Sequence, residues 1–199
     1  MTKKLNELKE KLQPGRVYQR KELARWSNAV DRHLKLLVED GTLTKLSPGL
    51  YYYPKQTAFG ESPPDERAMI RAFLRDDRFL VTSPNVYNTL GIGATQLYNQ
   101  TVVYNHKRHG QQTLGNRIFV FRMKPFFPLE LSKEFLLVDL VNNIDRLAED
   151  QAALLAEVEK KVPTFERSAL ADAVRRYGGV AAKKYFAEQL GDDSLYYGN

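Results

Sequence analysis

The sequence predicts a helix-rich α+β fold in two parts, and three observations lead there. Near both ends of the chain apolar residues recur at three- and four-residue steps, the spacing of a buried helical stripe. Short runs rich in Val, Ile, Phe and Tyr, among them Leu50-Tyr51-Tyr52-Tyr53 and Ile118-Phe119-Val120-Phe121, read as strands. Residues 56–64, with Gly60, Ser62, Pro63 and Pro64, read as a linker between the parts. The expected division is residues 1–55, a linker over 56–64, an α+β domain over 65–190 that ends in helices, and a loose tail over 191–199. A chain of 199 residues suits one sizeable domain or two small ones of this kind.

In the first part Leu5, Leu8 and Leu12 fall at i, i+3 and i+7, and Pro14-Gly15 ends that helix. Val17 and Tyr18 precede a second helical segment over residues 20–26. Ser27 can cap a third helix over residues 28–40, closed by Gly41. Residues 42–46 and 50–53 then form two short strands about the turn Ser47-Pro48-Gly49. The spacing is that of a helix-turn-helix followed by a β-hairpin wing. At ~100° per residue, Val30, His33, Leu34 and Leu37 share the inner face of the third helix, and Asn28, Asp31, Arg32 and Lys35 share the outer arc of its first turns.

The second part opens at Pro64-Asp65 with a helix to Leu74 that turns Ala68, Met69, Ala72 and Phe73 inward. Residues 79–82 read as a buried strand, and Ser83-Pro84 start a helix that ends at Leu90 before Gly91. Residues 101–105 and 118–122 are strands, with Thr113-Leu114 as a third. Gly91-Ile92-Gly93 lacks the third glycine of a dinucleotide loop, where Gln96 stands, and it follows a helix rather than a strand. Leu137, Leu140, Val141, Ile144, Leu147, Leu154, Leu155 and Val158 predict one long helix packed on its own domain. Pro163-Thr164 lead into a helix carrying Leu170, Ala173, Val174 and Tyr177, stopped by Gly178-Gly179, and a last helix presents Val180, Tyr185, Phe186 and Leu190.

Composition narrows the function. No run approaches the length of an apolar membrane span, and the first residues lack a signal-peptide apolar stretch, so a cytoplasmic protein is expected. The absence of cysteine removes disulfides, thiolate nucleophiles and thiolate metal sites, and neither a metal nor another cofactor is expected. Residues 1–55 hold 12 Lys and Arg against 6 Asp and Glu, a net of +6, and the remaining residues balance. Residues 78–129 carry 6 cations and no carboxylate, and residues 130–199 carry 9 cations against 13 carboxylates. A front-loaded positive charge suits a polyanion, because neutralised phosphates release their counterions.

These features place a DNA-contact set on the first part. Asn28, Asp31, Arg32 and Lys35 are candidate base readers, since Arg can pair with guanine and Asn with adenine in the major groove. Arg20, Lys21 and Lys45 are candidate phosphate contacts, and Ser27 and Ser47 complete the set. The loop His106-Lys107-Arg108-His109 offers Lys107 and Arg108 as a second basic contact. A nucleic-acid enzyme built on His106, His109 and Lys107 is disfavoured by the absence of carboxylates between Arg78 and Leu129, and the chain is not expected to be an enzyme. A protein-interaction scaffold would leave the front-loaded charge unexplained.

The stretch "RKELARWSNAVDRHLKLLVEDGTLTKLSPGLYYYP", with Leu34, Leu37, Gly41, Leu43, Leu46, Gly49, Leu50, Tyr51, Tyr52 and Pro54, resembles the winged helix-turn-helix that opens AbiEi-type antitoxins of type IV, abortive-infection toxin–antitoxin systems. Residues 82–122, "TSPNVYNTLGIGATQLYNQTVVYNHKRHGQQTLGNRIFVFR", resemble the start of the antitoxin portion of the same family, and the likeness spans most of residues 15–190. The resemblance implies a transcriptional repressor that autoregulates its operon through inverted repeats in double-stranded operator DNA. It also implies a neighbouring AbiEii-type nucleotidyltransferase toxin, countered without a stable complex. The alternative is a winged-helix regulator with a ligand- or partner-sensing C-terminal domain and no toxin.

Overall fold

A computed structural model describes residues 2–92 and 97–197. In chain order it contains α1 (Thr2–Lys11), β1 (Val17–Gln19), α2 (Arg20–Leu23), α3 (Val30–Glu39), β2 (Thr44–Ser47), β3 (Leu50–Tyr52), β4 (Gln56–Thr57), β5 (Gly60–Glu61) and α4 (Glu66–Leu74). There follow β6 (Phe79–Thr82), a 3-10 segment (Pro84–Leu90), β7 (Thr101–Asn105), β8 (Gly110–Leu114) and β9 (Arg117–Met123). The chain continues through α5 (Lys133–Asn142), α6 (Gln151–Lys161), α7 (Arg167–Tyr177), α8 (Val180–Leu190) and α9 (Ser194–Tyr197). The protein is a helix-rich α+β fold, as its sequence predicts. Gly93 and Gln96, weighed above for a nucleotide loop, lie outside the described residues.

The chain divides into two compact units, the first made of Met1–Asp77 with Lys107–Val120 and the second of Arg78–His106 with Phe121–Asn199. Residues 56–64, expected as a linker, lie within the first of these units. Residues 56–61 are not an open linker: β4 and β5 pair antiparallel, with Gln56 opposite Glu61. The Thr57 hydroxyl donates to the Gly60 carbonyl at 2.7 Å and accepts the Phe59 N–H at 3.2 Å, which closes the hairpin turn.

In the first unit the strands order as β1-β3-β2, all antiparallel, with Val17 opposite Tyr52 and Thr44 opposite that same residue from the other side. β1 was not expected from the sequence, where Val17 and Tyr18 read only as the approach to α2, because a three-residue strand carries too little pattern. Gly49 sits at φ +77° in the β2–β3 turn, a conformation that favours glycine, and its carbonyl accepts the Arg20 N–H at 2.8 Å. The core gathers Leu8, Leu12, Tyr18, Leu23, Val30, Leu34, Leu37, Leu43 and Tyr51. Burial of side chains of this size stabilises by ~1.5–3 kcal/mol each, so this one apolar seam fixes how α1 and α3 lie on the small sheet.

α4 is capped by Asp65, whose carboxylate accepts the Ala68 N–H at 2.7 Å, and it packs on β1. It buries Met69, Ile70 and Leu74, a face rotated from the expected one, while Ala68, Ala72 and Phe73 are half-buried. The β8–β9 turn also belongs to this unit. The Gly115 N–H donates to the Leu46 carbonyl at 2.7 Å, and a Cβ on Gly115 would stand 3.2 Å from the Leu46 side chain.

Lys9 of α1 donates to Asp40 at 2.6 Å, tying that helix to the end of α3. This hydrogen bond, with those from Thr42, holds the Asp40 carboxyl down to about 2. Because the folded value lies below the unfolded one, the contribution is present above pH ~4 and is lost as pH falls through about 2. The pair is exposed enough that screening limits it to ~1 kcal/mol or less. An NMR titration is expected to place the Asp40 midpoint about there, and Lys9→Ala should move it back toward an ordinary aspartate; an unmoved midpoint would refute the pairing.

In the second unit β6 runs antiparallel to β7, Phe79 facing Asn105 and Thr82 facing Val102. β7 in turn neighbours β9, which enters this unit at Phe121. α5 is buried from Phe135 through Val141 and packs against α7, α8 and the 3-10 segment. The single long helix expected from Leu137 to Val158 is two. Asn143 donates its side-chain N–H to the Asp139 carbonyl at 2.7 Å, Leu147 is extended, and Asp150 starts α6 by accepting the Ala153 N–H at 3.1 Å. Val180, expected to face inward, is exposed at the start of α8. Residues 191–197 are not loose throughout: Gly191 closes α8, α9 follows, and Leu195 is buried.

Candidate nucleic-acid interface

The outer side of α3 carries Asp31, Arg32 and Lys35, all exposed, and Asn28 is exposed in the turn that precedes the helix. Their opposite side is set by Val30, His33, Leu34 and Leu37, which are buried as the helical spacing predicts. Among the described residues no hydrogen bond or ion pair engages the Arg32 guanidinium. Lys35 stands 3.8 Å from Glu39 one turn on, a loose exposed pair.

Arg20 and Asp31 meet as a two-pronged ion pair, with Nε to Oδ1 at 2.6 Å and Nη2 to Oδ2 at 2.5 Å. The contact raises the arginine and lowers the aspartate below its ordinary carboxylate range, each mainly through the shared hydrogen bonds. Sequence reasoning assigned Arg20 to phosphate and Asp31 to a base as separate contacts. In the structure each neutralises the other, and Arg20 can serve a phosphate only by sharing or leaving that carboxylate.

Lys21 is exposed on α2, and Lys45 is exposed on β2 across from Tyr51. Ser47 is half-buried at the hairpin turn and faces Leu50. Ser27 is not available to a ligand. It is 6% exposed, its Oγ lies 2.7 Å from His33 Nδ1, and it accepts the Ala29 N–H at 3.2 Å. The hydroxyl therefore braces the turn into α3 from within, and the helix begins at Val30 with no side-chain cap of its own.

The loop at Lys107 and Arg108 is also committed. Lys107 donates to the Arg75 carbonyl at 2.8 Å and pairs with Asp76 at 3.1 Å, and Arg108 lies over the Phe73 ring at 5.7 Å. Asp76 is distant in sequence, which is why the run lacking carboxylates looked unpaired. His106 stacks near Phe127 at 4.7 Å. Among the described residues no group of three or more His, Cys, Asp or Glu stands together as metal ligands would.

Sequence reasoning missed a buried polar cluster in the second unit. Asp139 of α5 is fully buried and accepts from the Tyr87 hydroxyl at 2.8 Å, the Tyr104 hydroxyl at 2.9 Å and Lys124 Nζ at 3.1 Å. Burial, then the nearby carboxylate, pushes both tyrosines far above their ordinary values, so they remain donors. Asn143 closes the set, donating to Tyr104 at 3.1 Å and accepting from Arg122 at 2.6 Å. The one available signal was an Asp and an Asn four residues apart inside an apolar run.

No family profile and no curated protein matches the sequence. The fold, however, has a relative. The chain is similar to a crystal structure of the RV2827C protein from Mycobacterium tuberculosis, with a TM-score of 0.56 and 15% identity over 98% of this chain and 80% of that one. At that identity the likeness bears on architecture alone. No helix among the described residues is long and apolar enough to cross a membrane.

Proposed function

We propose that this chain is a DNA-binding transcriptional repressor that acts as the antitoxin of a type IV toxin–antitoxin system and autoregulates its own operon from the cytoplasm. The observation that carries the DNA-binding half is the exposed polar side of α3, with Arg32 and Lys35 projecting beside the Arg20–Asp31 pair. The element order α1-β1-α2-α3-β2-β3, with β3 central in an antiparallel sheet, supports reading the first unit as a winged helix-turn-helix. In that reading α3 enters the major groove, Asn28, Arg32 and Lys35 reach base edges, and Lys21 and Lys45 hold phosphates. The role is binding rather than catalysis.

The antitoxin half rests on the resemblance of residues 15–190 to AbiEi-type proteins. It assigns inverted repeats in the operator and an AbiEii-type nucleotidyltransferase toxin encoded alongside, countered without a stable complex.

A gel shift of the whole chain against its own upstream DNA and a scrambled duplex of equal length tests the first half. Binding should favour the upstream DNA and fall steeply with salt, since each phosphate contact adds about −0.9 to the log–log slope. Equal, weak binding to both duplexes, or a flat slope, would overturn the repressor reading. Co-expression with the adjacent gene tests the second half: toxicity relieved by this chain supports it, and a harmless neighbour refutes it.

A further inference from the structure

The second unit encloses a space of about 60 Å³ between the end of β6, the 3-10 segment, β7 and the turn after α5. That is several times the ~10–15 Å³ one water needs. Thr82 reaches it from β6. Its hydroxyl is buried, with the residue 6% exposed, and among the described residues Thr82 Oγ1 is the buried side-chain polar atom without a hydrogen-bond partner. Buried hydroxyls are nearly always partnered, so an orphan facing a cavity calls for a missing ligand or water.

The groups around Thr82 decide the sign of that ligand. Two arginines, Arg122 and Arg146, line the space, and a guanidinium can only donate. Arg122 uses Nη1 on Asn143 and keeps further N–H groups. Arg146 is anchored by its backbone N–H to the Asn143 carbonyl at 2.9 Å, and its side chain is exposed. The Tyr98 hydroxyl accepts the Ala148 N–H at 2.8 Å, so its own hydrogen is available. Among the described residues no carboxylate lines the space. Asp139, behind it, has both oxygens engaged by Tyr87, Tyr104 and Lys124, and Lys124 balances its charge.

We propose that this cavity binds a small tetrahedral oxyanion of the phosphate type, held between Arg122 and Arg146 and hydrogen-bonded by Thr82. The inference concerns the second unit alone and does not rest on the DNA-binding reading. The space is too small for a nucleoside, so a larger ligand enters by its phosphate alone, with exposed Arg146 at the mouth.

Isothermal titration of the full chain with inorganic phosphate, at constant ionic strength, is the test. Saturable binding at one site is expected, and Arg146→Ala should weaken it by roughly tenfold or more, the loss of a charge-assisted hydrogen bond. Thr82→Val, which keeps the side-chain shape, should weaken it several-fold, and the unliganded melting temperature of Arg146→Ala should match the parent. AMP in a parallel arm separates the sources: comparable affinity assigns the site to a nucleotide's phosphate, and binding of phosphate alone assigns it to the free anion. No saturable binding of phosphate or AMP, or equal binding by the parent and both variants, would overturn the proposal.

Discussion

Asp139→Ala is expected to cost the protein ~3–5 kcal/mol, the range for removing one partner of a buried charged pair. The carboxylate is fully buried and is the common acceptor of Tyr87, Tyr104 and Lys124. Its removal strands two hydroxyls that burial keeps protonated, together with a half-buried ammonium. Each stranded donor loses its hydrogen bond without regaining water, at ~1–3 kcal/mol. Asp139→Asn keeps an acceptor but loses the charge opposite Lys124, and should fall between the parent and alanine. Tyr87→Phe removes one donor and one methyl-scale polar contact, and should cost less than either. Urea unfolding measures all three, and an alanine variant within ~0.5 kcal/mol of the parent would show that the cluster does not hold the second unit together.

Arg32→Ala and Lys35→Ala should each weaken operator binding by ~1–3 kcal/mol, roughly five- to 150-fold, with relaxed sequence preference. Both side chains are exposed, and neither contributes to the apolar seam of the first unit, so folding should be unchanged. Lys21→Ala, a phosphate contact in this reading, should instead weaken operator and scrambled DNA alike and lower the salt slope by about one. Asp31→Asn separates two effects. It removes a negative charge from the outer side of α3 and releases the Arg20 guanidinium from its ion pair, so on the proposed reading affinity for any duplex should rise while discrimination falls. Quantitative gel shifts of the four variants on both duplexes distinguish these outcomes. Unchanged binding by Arg32→Ala and Lys35→Ala together would remove α3 as the reading helix.

What could be foreseen from the sequence follows the range of the interactions involved. The seam of Leu8, Leu12, Val30, Leu34 and Leu37 was legible because helical spacing is a local property, and Gly49 marked its turn because few other residues tolerate that backbone. The β4–β5 hairpin was hidden because Gly60, Ser62 and two prolines signal a turn and a linker equally well. The break between α5 and α6 was hidden for another reason. α5 is buried on nearly every side, so its apolar positions carry no one-sided period, and the stop at Asn143 depends on a side chain that turns back on Asp139. At the candidate interface, the outward positions on α3 could be read from spacing alone. The Ser27–His33 contact, the Arg20–Asp31 pair and the Lys107–Asp76 pair could not, because each is a choice of partner made only when separate elements meet.

The first unit is discontinuous along the chain, with residues 107–120 returning to it after Arg78–His106 has been laid down in the second. On the ribosome, its last strands emerge only after β6, the 3-10 segment and β7 of the other unit have already been made. The two units therefore mature in an interleaved order rather than one after the other, unlike domains that finish as each is synthesised. A nascent chain halted before Gly115 would leave Leu46 without the backbone donor it holds in the finished protein.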